Sequence, residues 1–468
     1  MKQLTQYSIL TIVIICNLLC SQIAKAQNVT ISTDRRAELV SIIGRLAEFE
    51  EYSQGRILSY NEDIDTYFKE FKTHPVINLA QEYRKDFGLA YDALMWVALH
   101  IDIENDSVKI NEIAYNNLPS RWTKERLILF VNELSDFYQK SDFTSFYKSN
   151  EELYKKVHGE MINLIIHKTE LSWFNKFWGT QSLHSFNVIA SLVNGCANYG
   201  LKTIDNNQKE DAYPVIGVCE TDSNNRPIYN VDYLVPMFVH EINHSYDKGI
   251  EEIAQATQAA KEVILPYVEN IMKQQAYSGW PIILEESMVR AGVINYMQNN
   301  KRYSFDVNKE IREQKSRGFV WIEKLADQLT VYQNNRELYP TILDFTPQIA
   351  KVFEDMAQTM SAPDFDFPHV TKTSIENEST VSAETTTEII FTFSKPMVTK
   401  SHGFRPGSLG PDTFPPISET EWINETQLRI IVNLEPEKEY SISHFPPAYL
   451  NQEGFPLVSN YNLLFKTE

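Results

Sequence analysis

The apolar residues of this chain change their repeat once, and that change limits the folds open to it. Up to about residue 360 they recur every three or four positions, as in "HPVINLAQEYRKDFGLAYDALMWVALHI" (His74 to Ile101), with few glycines or prolines between. That is the repeat of helices with one buried face. Beyond "SAPDFDFPHVTKT" the apolar residues alternate instead. "TEIIFTFS" sends Ile389, Phe391 and Phe393 to one face, and "QLRIIVNL" sends Leu428, Ile430, Val432 and Leu434 to one face. "YSISHF" and "LLFKT" continue the pattern, which is that of half-buried strands broken by turns. The expected class is therefore α+β, with a mainly helical body over 27–362 and an all-β sandwich over 363–468. The proline-bounded stretch 363–368 reads as the linker. Two β-rich runs, "SFNVIASLVNG" and "YPVIGVCET", interrupt the body. They divide it into a helical part to about 166, a mixed core over about 167–300 and a helical tail to 362.

The first residues, "MKQLTQYSILTIVIICNLLCSQIAKAQ", combine a charged start, an apolar run from Ile9 to Leu19 and a small-x-small site at Ala24 to Ala26. That layout predicts a secretory leader (1–26) cleaved after Ala26, and the apolar run is too short to anchor in a bilayer. Lipid attachment through Cys20 is disfavoured because the large Leu19 precedes it. The chain is thus expected to be exported, to the periplasm, the cell surface or the medium, with no transmembrane segment. Loss of the leader leaves Cys196 and Cys219, enough for one disulfide in an oxidising compartment and too few for a disulfide framework. The formal charge is −19, and removing Lys2 and Lys25 makes it more negative still. Such a chain repels phosphate backbones, so nucleic acid is excluded as a main partner.

Within the mixed core stands "MFVHEINHSYDKG", Met237 to Gly249. On a helix, His240 and His244 lie one turn apart and offer two ring nitrogens to a single tetrahedral zinc. Glu241 lies about 100° round from His240, beside such an ion, where its carboxylate can take a proton from water that the zinc has made acidic. Phe238, Val239, Ile242 and Tyr246 fill the opposite side and predict burial there. Met237 to Lys248 is expected to form the helix, with Pro236 opening it and Gly249 ending it. Pro281 opens a second helix, "WPIILEESMVRAGVINYM".

A catalytic zinc takes a third protein ligand and keeps one position open. A third histidine at the near spacing of metzincins is absent, since Asp247 and Ile250 stand where Gly and His would be needed. The alternative is a glutamate from the second helix, Glu285 or Glu286. Glu286 is preferred, because small Ser287 follows it and Arg290, four residues on, can orient its carboxylate. Glu285 then reads as a solvated acid. Glu251 and Glu252 would have to fold straight back from the end of the first helix. His167 and His184 have no partner at ligand spacing and read as ordinary polar residues. "SLVNGCANYG" (Ser191 to Gly200) reads either as a bent edge strand that a substrate backbone can approach or as a plain hairpin turn, with Tyr199 a candidate oxyanion donor.

These pieces, with "FVNELSDFYQKSDFTSFY", "SLVNGCANYG", "FVHEINHSY" and "GWPIILEESMVRA", resemble an uncharacterised family of secreted bacterial proteins known only as a domain of unknown function. The resemblance runs through most of Thr66 to Tyr296. It implies a zincin-like domain of gluzincin type, with His240, His244 and Glu286 holding zinc and Glu241 as the base, and it implies no particular substrate. The C-terminal part resembles the Ig-like modules of bacterial surface proteins, which implies a spacer or a docking surface at the cell surface. The function expected is hydrolysis of peptide or protein substrates by a secreted zinc metallopeptidase. The competing expectation is a catalytically degenerate zincin that binds a protein or glycan, and the intact Glu241 speaks against it.

Overall fold

The computed structural model describes residues 28–115, 118–179, 185–246, 248–445, 448–457 and 461–468. The expected leader, Cys16, Cys20, His184 and Asp247 lie outside the described residues. The fold is α+β, with a C-terminal all-β region. Among the described residues no helix is long and apolar enough to cross a membrane. The chain forms two compact units, one running to Asp247 and including Asn299–Ser304, the other Lys248–Gln298 with Phe305–Glu468.

The first unit is built on four strands, β1 (Asn28–Ser32), β4 (Ser185–Ser191), β5 (Tyr199–Ile204) and β6 (Glu210–Gly217), in the order β1-β4-β6-β5. β1, β4 and β6 are parallel, and β5 runs antiparallel to β6 as an edge strand. Position in the sheet explains the local sequences. Central β4 is buried along nearly its whole length and reads as an apolar run, whereas edge strand β5 alternates buried and half-buried residues. A hairpin, β2 (Ile101–Glu104) and β3 (Ser107–Ile110), interrupts the region expected to be wholly helical. Its turn residues Asn105 and Asp106 both have positive φ (48° and 56°), the conformation that short Asn and Asp side chains tolerate best. Two further short strands pair after β6, β7 (Glu220–Thr221) and β8 (Pro227–Ile228).

The described helices before Val231 are α1 (Arg35–Leu46), α2 (Leu58–Tyr67), α3 (Pro75–Phe87), α4 (Asp92–Leu99), α5 (Lys124–Lys140), α6 (Phe143–Ser149), α7 (Glu151–Lys168) and α8 (Ser172–Trp178). α1 packs on β4 and α4 on β5, while α9 (Val231–Asn243) packs on β5, β6 and α7.

The second unit begins with α10 (Ile250–Ala256), α11 (Gln258–Lys273), α12 (Trp280–Asn299), α13 (Val307–Ser316), α14 (Ile322–Asn334) and α15 (Thr346–Met360). α12 is buried on every side from Glu286 to Met297, and the two charged residues of that stretch, Glu286 and Arg290, pair with each other. Trp280, Trp321 and Phe353 make its aromatic core, and the Trp321 indole donates to Ser287 Oγ at 2.9 Å. The stretch expected to be a linker is instead packed: Phe365 and Phe367 meet Tyr267 of α11 and Phe455, mostly edge to face.

The all-β region comprises β9 (Val370–Thr373), β10 (Ser379–Val381), β11 (Glu388–Phe393), β12 (Phe404–Pro406), β13 (Ile417–Asn424), β14 (Gln427–Val432), β15 (Glu439–His444) and β16 (Asn462–Thr467). They form two sheets, β13-β14-β11-β9 and β10-β16-β15-β12. Both feed one core, and Ile389, Phe391, Phe393, Leu428, Ile430 and Val432 all point into it, as the alternation predicts.

His444 is fully buried in that core, with Phe391, Phe404 and Tyr449 ring centres at 4.7, 5.0 and 5.1 Å. Burial pushes its pKa down to about 3 from an ordinary value near 6.5. The folded state therefore holds the neutral ring, and the unfolded chain takes up a proton first as pH falls. Stability is full above pH 6.5 and drains away between there and pH 3, by on the order of 4–5 kcal/mol at the lower limit. A His444→Leu variant is expected to remove this contribution and to unfold at a lower pH than the wild type. Coincident acid titrations followed by circular dichroism would exclude it.

Candidate metal centre

The local sequence fixes α9 at both ends. The Asn230 side chain caps its start by accepting from the Asp232 N–H at 2.9 Å, so the helix begins five residues before Pro236. The expectation that Pro236 opens the helix is corrected: Pro236 lies inside it. The helix also stops sooner than expected, at Asn243, with His244 as its C-cap in helical geometry (φ −60°, ψ −24°). The buried Asn243 side chain accepts from the Trp178 indole at 2.9 Å, and Tyr246 donates to Asn175 Oδ1 at 2.6 Å. Both bonds hold the turn on which His244 sits. Phe238, Val239, Ile242 and Tyr246 are buried, as the pattern predicts.

On the other side of this helix end, the Nε2 atoms of His240 and His244 approach to 3.2 Å. Two imidazole nitrogens on one tetrahedral zinc, each about 2.0–2.1 Å from it, stand roughly 3.3–3.4 Å apart. The rings are therefore spaced as a shared ion would hold them. Both are half-buried, and Glu241 between them in sequence is buried, 5% exposed.

Gly200 explains how closely the sheet edge meets this turn. A Cβ there would lie 2.4 Å from the Glu241 carbonyl oxygen and 2.9 Å from His244 Cβ. Any larger residue must push β5 away from the end of α9. Gly200→Ala is expected to cost about 1–3 kcal/mol and to weaken metal binding at His240 and His244, whereas Lys202→Ala on the same strand leaves both unchanged. Zinc titration with thermal melting separates the two, and a Gly200→Ala protein with unaltered zinc affinity would show the contact to be dispensable.

Successive side chains of a strand face opposite ways. Since position 200 faces the end of α9, Tyr199 faces away, packing towards Tyr52 with ring centres 6.5 Å apart. The oxyanion role expected of Tyr199 is thereby excluded. The hairpin reading of Ser191 to Gly200 is corrected: β4 and β5, joined by 192–198, do not pair but lie on either side of β6, and Tyr199 starts the edge strand. A disulfide, Cys196–Cys219, ties that turn to the segment after β6. Closing its loop, with a sequence separation of 23, contributes about 3 kcal/mol by the chain-entropy estimate. The Tyr233 hydroxyl on α9 lies 3.1 Å from Cys219 Sγ and accepts from Asn198 Nδ2 at 3.1 Å, joining the turn to the helix start.

In the second unit, Glu286 is buried and Glu285 half-buried. Arg290 Nε donates to Glu286 Oε2 at 3.2 Å, while its Nη1 and Nη2 donate to Gln314 Oε1 and Tyr277 Oη, both at 2.7 Å. Burial opposes the charge on Arg290, but Glu286 and Tyr277 outweigh it and the guanidinium pKa is raised. Glu285 is not the solvated acid expected: it pairs at 2.8 Å with Lys248, whose side chain is 1% exposed. Gly249 does not end α9 but caps the start of α10 at φ +64°, and Glu251 and Glu252 are exposed in the first turn of α10.

The described residues contain His, Glu and Asp groups that could hold a metal ion. One of them, His74, Glu133 and Asp136, escaped the sequence reading, because His74 caps α3 whereas Glu133 and Asp136 lie far along the chain on α5. Its chemistry favours another role. His74 Nδ1 accepts the Val76 N–H at 3.3 Å as the cap of α3, which leaves the ring proton on Nε2, 3.0 Å from Asp136. Lys140 also holds Asp136, at 2.8 Å. A protonated Nε2 has no lone pair for an ion, and the group ties α3 to α5.

Comparison with known proteins adds a family and little else. The family described as a domain of unknown function (DUF4932) matches residues 22–352. No curated protein matches. Among solved structures, a surface layer protein, SbsC domains 1-6, is 14% identical over 50% of this chain, at a TM-score of 0.17. The chain spans 33% of that protein's length, and so slight a likeness carries no argument.

Proposed function

Because the chain belongs to the DUF4932 family, for which no activity is assigned, we propose its function from its own side chains: an exported zinc metallopeptidase of gluzincin type. His240, His244 and Glu286 hold the ion in this reading, and Glu241 is the general base. The observation that carries it is the 3.2 Å approach of the two Nε2 atoms on one helix end. Glu286 is taken as the third ligand on the sequence alone, with small Ser287 after it and Arg290 four residues on. Arg290, bonded to Glu286, would fix the carboxylate orientation as outer partners of metal ligands do.

Zinc, when bound, polarises a carbonyl and acidifies water. Glu241, buried on the same helix, would serve as the base that takes a proton from water and gives it to the leaving amine. Edge strand β5, set against the end of α9 at Gly200, would pair with an extended peptide backbone. The secretory leader, a zincin-like body and an Ig-like C-terminal module used as a spacer or surface-docking element complete the proposal.

Protein purified without chelator is expected to carry one zinc per chain, and His240→Ala or His244→Ala to abolish that stoichiometry. Metal analysis showing no zinc in the wild-type protein would end the proposal.

A further inference from the structure

We propose that the all-β region carries a binding site for a neutral glycan, in the recess beside Trp422. The recess holds about 480 Å³, within the range of small-ligand sites, and opens between β13 and the segment joining β11 to β12. From β13 and the turn after it come Thr420, Trp422, Asn424 and Glu425, and from the joining segment Lys400 and His402.

Trp422 is the fixed element. It is half-buried, packs on Phe393 with ring centres 5.3 Å apart, and donates its indole N–H to the Ser401 carbonyl at 3.3 Å. Its ring is thus held in one orientation before any ligand arrives, which reduces the ordering cost of binding. Asn424 is held likewise, accepting from the Thr426 N–H and donating one Nδ2 hydrogen to Gln427, both at 2.9 Å. Its second Nδ2 hydrogen is left over.

The ligand class follows from what the recess offers. An aromatic ring suits the C–H face of a sugar. Around it stand groups that donate (Lys400, Asn424), accept (Glu425) or do both (Thr420, His402), matching hydroxyls, which also do both. The opposite charges of Lys400 and Glu425 do not select an anion, and the formal charge of −19 disfavours a phosphorylated one. Among the described residues no Val, Leu, Ile or Met lines the recess to receive peptide side chains. The site is independent of the metal centre.

The test uses the full exported chain and a panel of glucose, galactose, mannose, N-acetylglucosamine, N-acetylgalactosamine and their disaccharides, followed by calorimetry and saturation-transfer NMR. At least one is expected to bind, with Trp422→Ala weakening it about tenfold or more and Glu425→Gln about threefold. His240→Ala should leave binding unchanged. Since Trp422 touches the core, the exposed Glu425 provides a variant that spares the fold. No binding by any sugar at about 10 mM overturns the proposal, as does binding indifferent to both substitutions.

Discussion

Replacing Glu241 by glutamine is expected to leave the zinc content at one ion per chain and to reduce peptide hydrolysis by about 10³-fold or more. Glutamine keeps the size of the buried side chain but cannot take a proton, so the base is lost while the two imidazoles that approach to 3.2 Å are retained. Metal analysis and hydrolysis of a peptide library, read by mass spectrometry, measure the two effects separately. A variant that keeps zinc and full activity would mean that another residue takes the proton. A variant that loses zinc would mean that Glu241 acts on the metal or on the helix end rather than on water.

The second large effect distinguishes the adjacent glutamates of α12. Glu286→Ala is expected to weaken zinc binding by at least about 100-fold, since it would remove one of three ligands and leave Arg290 buried without its carboxylate. Glu285→Ala is expected to leave zinc in place but to lower stability by about 1–3 kcal/mol, a buried-pair penalty reduced because Glu285 is 30% exposed. Residues one apart on a helix point about 100° apart, so one ion cannot use both equally. Glu251→Ala and Glu252→Ala, at exposed positions, should change neither property. Zinc titration and thermal melting of the four variants give opposite patterns for the two glutamates. Zinc loss in Glu285→Ala alone would exchange their roles.

What could be read from the sequence was whatever a repeat of local spacing carries. The buried side of α9 and the inward faces of β11 and β14 follow from apolar residues at helical and strand intervals. Features that depend on distant partners could not be read. β1 pairs with β4, joining Thr30 to Asn187 across most of the first unit, and five residues hold no sign of that. Nothing near Lys248 in the sequence marks its burial, because its carboxylate partner lies on α12. Pro236 misled for a physical reason: a capping asparagine at position 230 outweighs a proline that could have started the helix later. The hairpin of β2 and β3 was legible after all, in the Asn105-Asp106 pair, but the helical pattern around it drew the reading the other way.

The packed phenylalanines after α15 bear on how this protein can be taken apart. A cut at residue 362, where composition invites one, would strip Tyr267 of both Phe365 and Phe367 and leave Phe455 without the same two rings. Each fragment would then present fresh aromatic surface to water, a surface that drives aggregation. Expression of the helical body alone should therefore give insoluble material for reasons unrelated to its chemistry. By the same token, a pull applied at the C-terminus would be carried into the helices through packed rings instead of being taken up as slack.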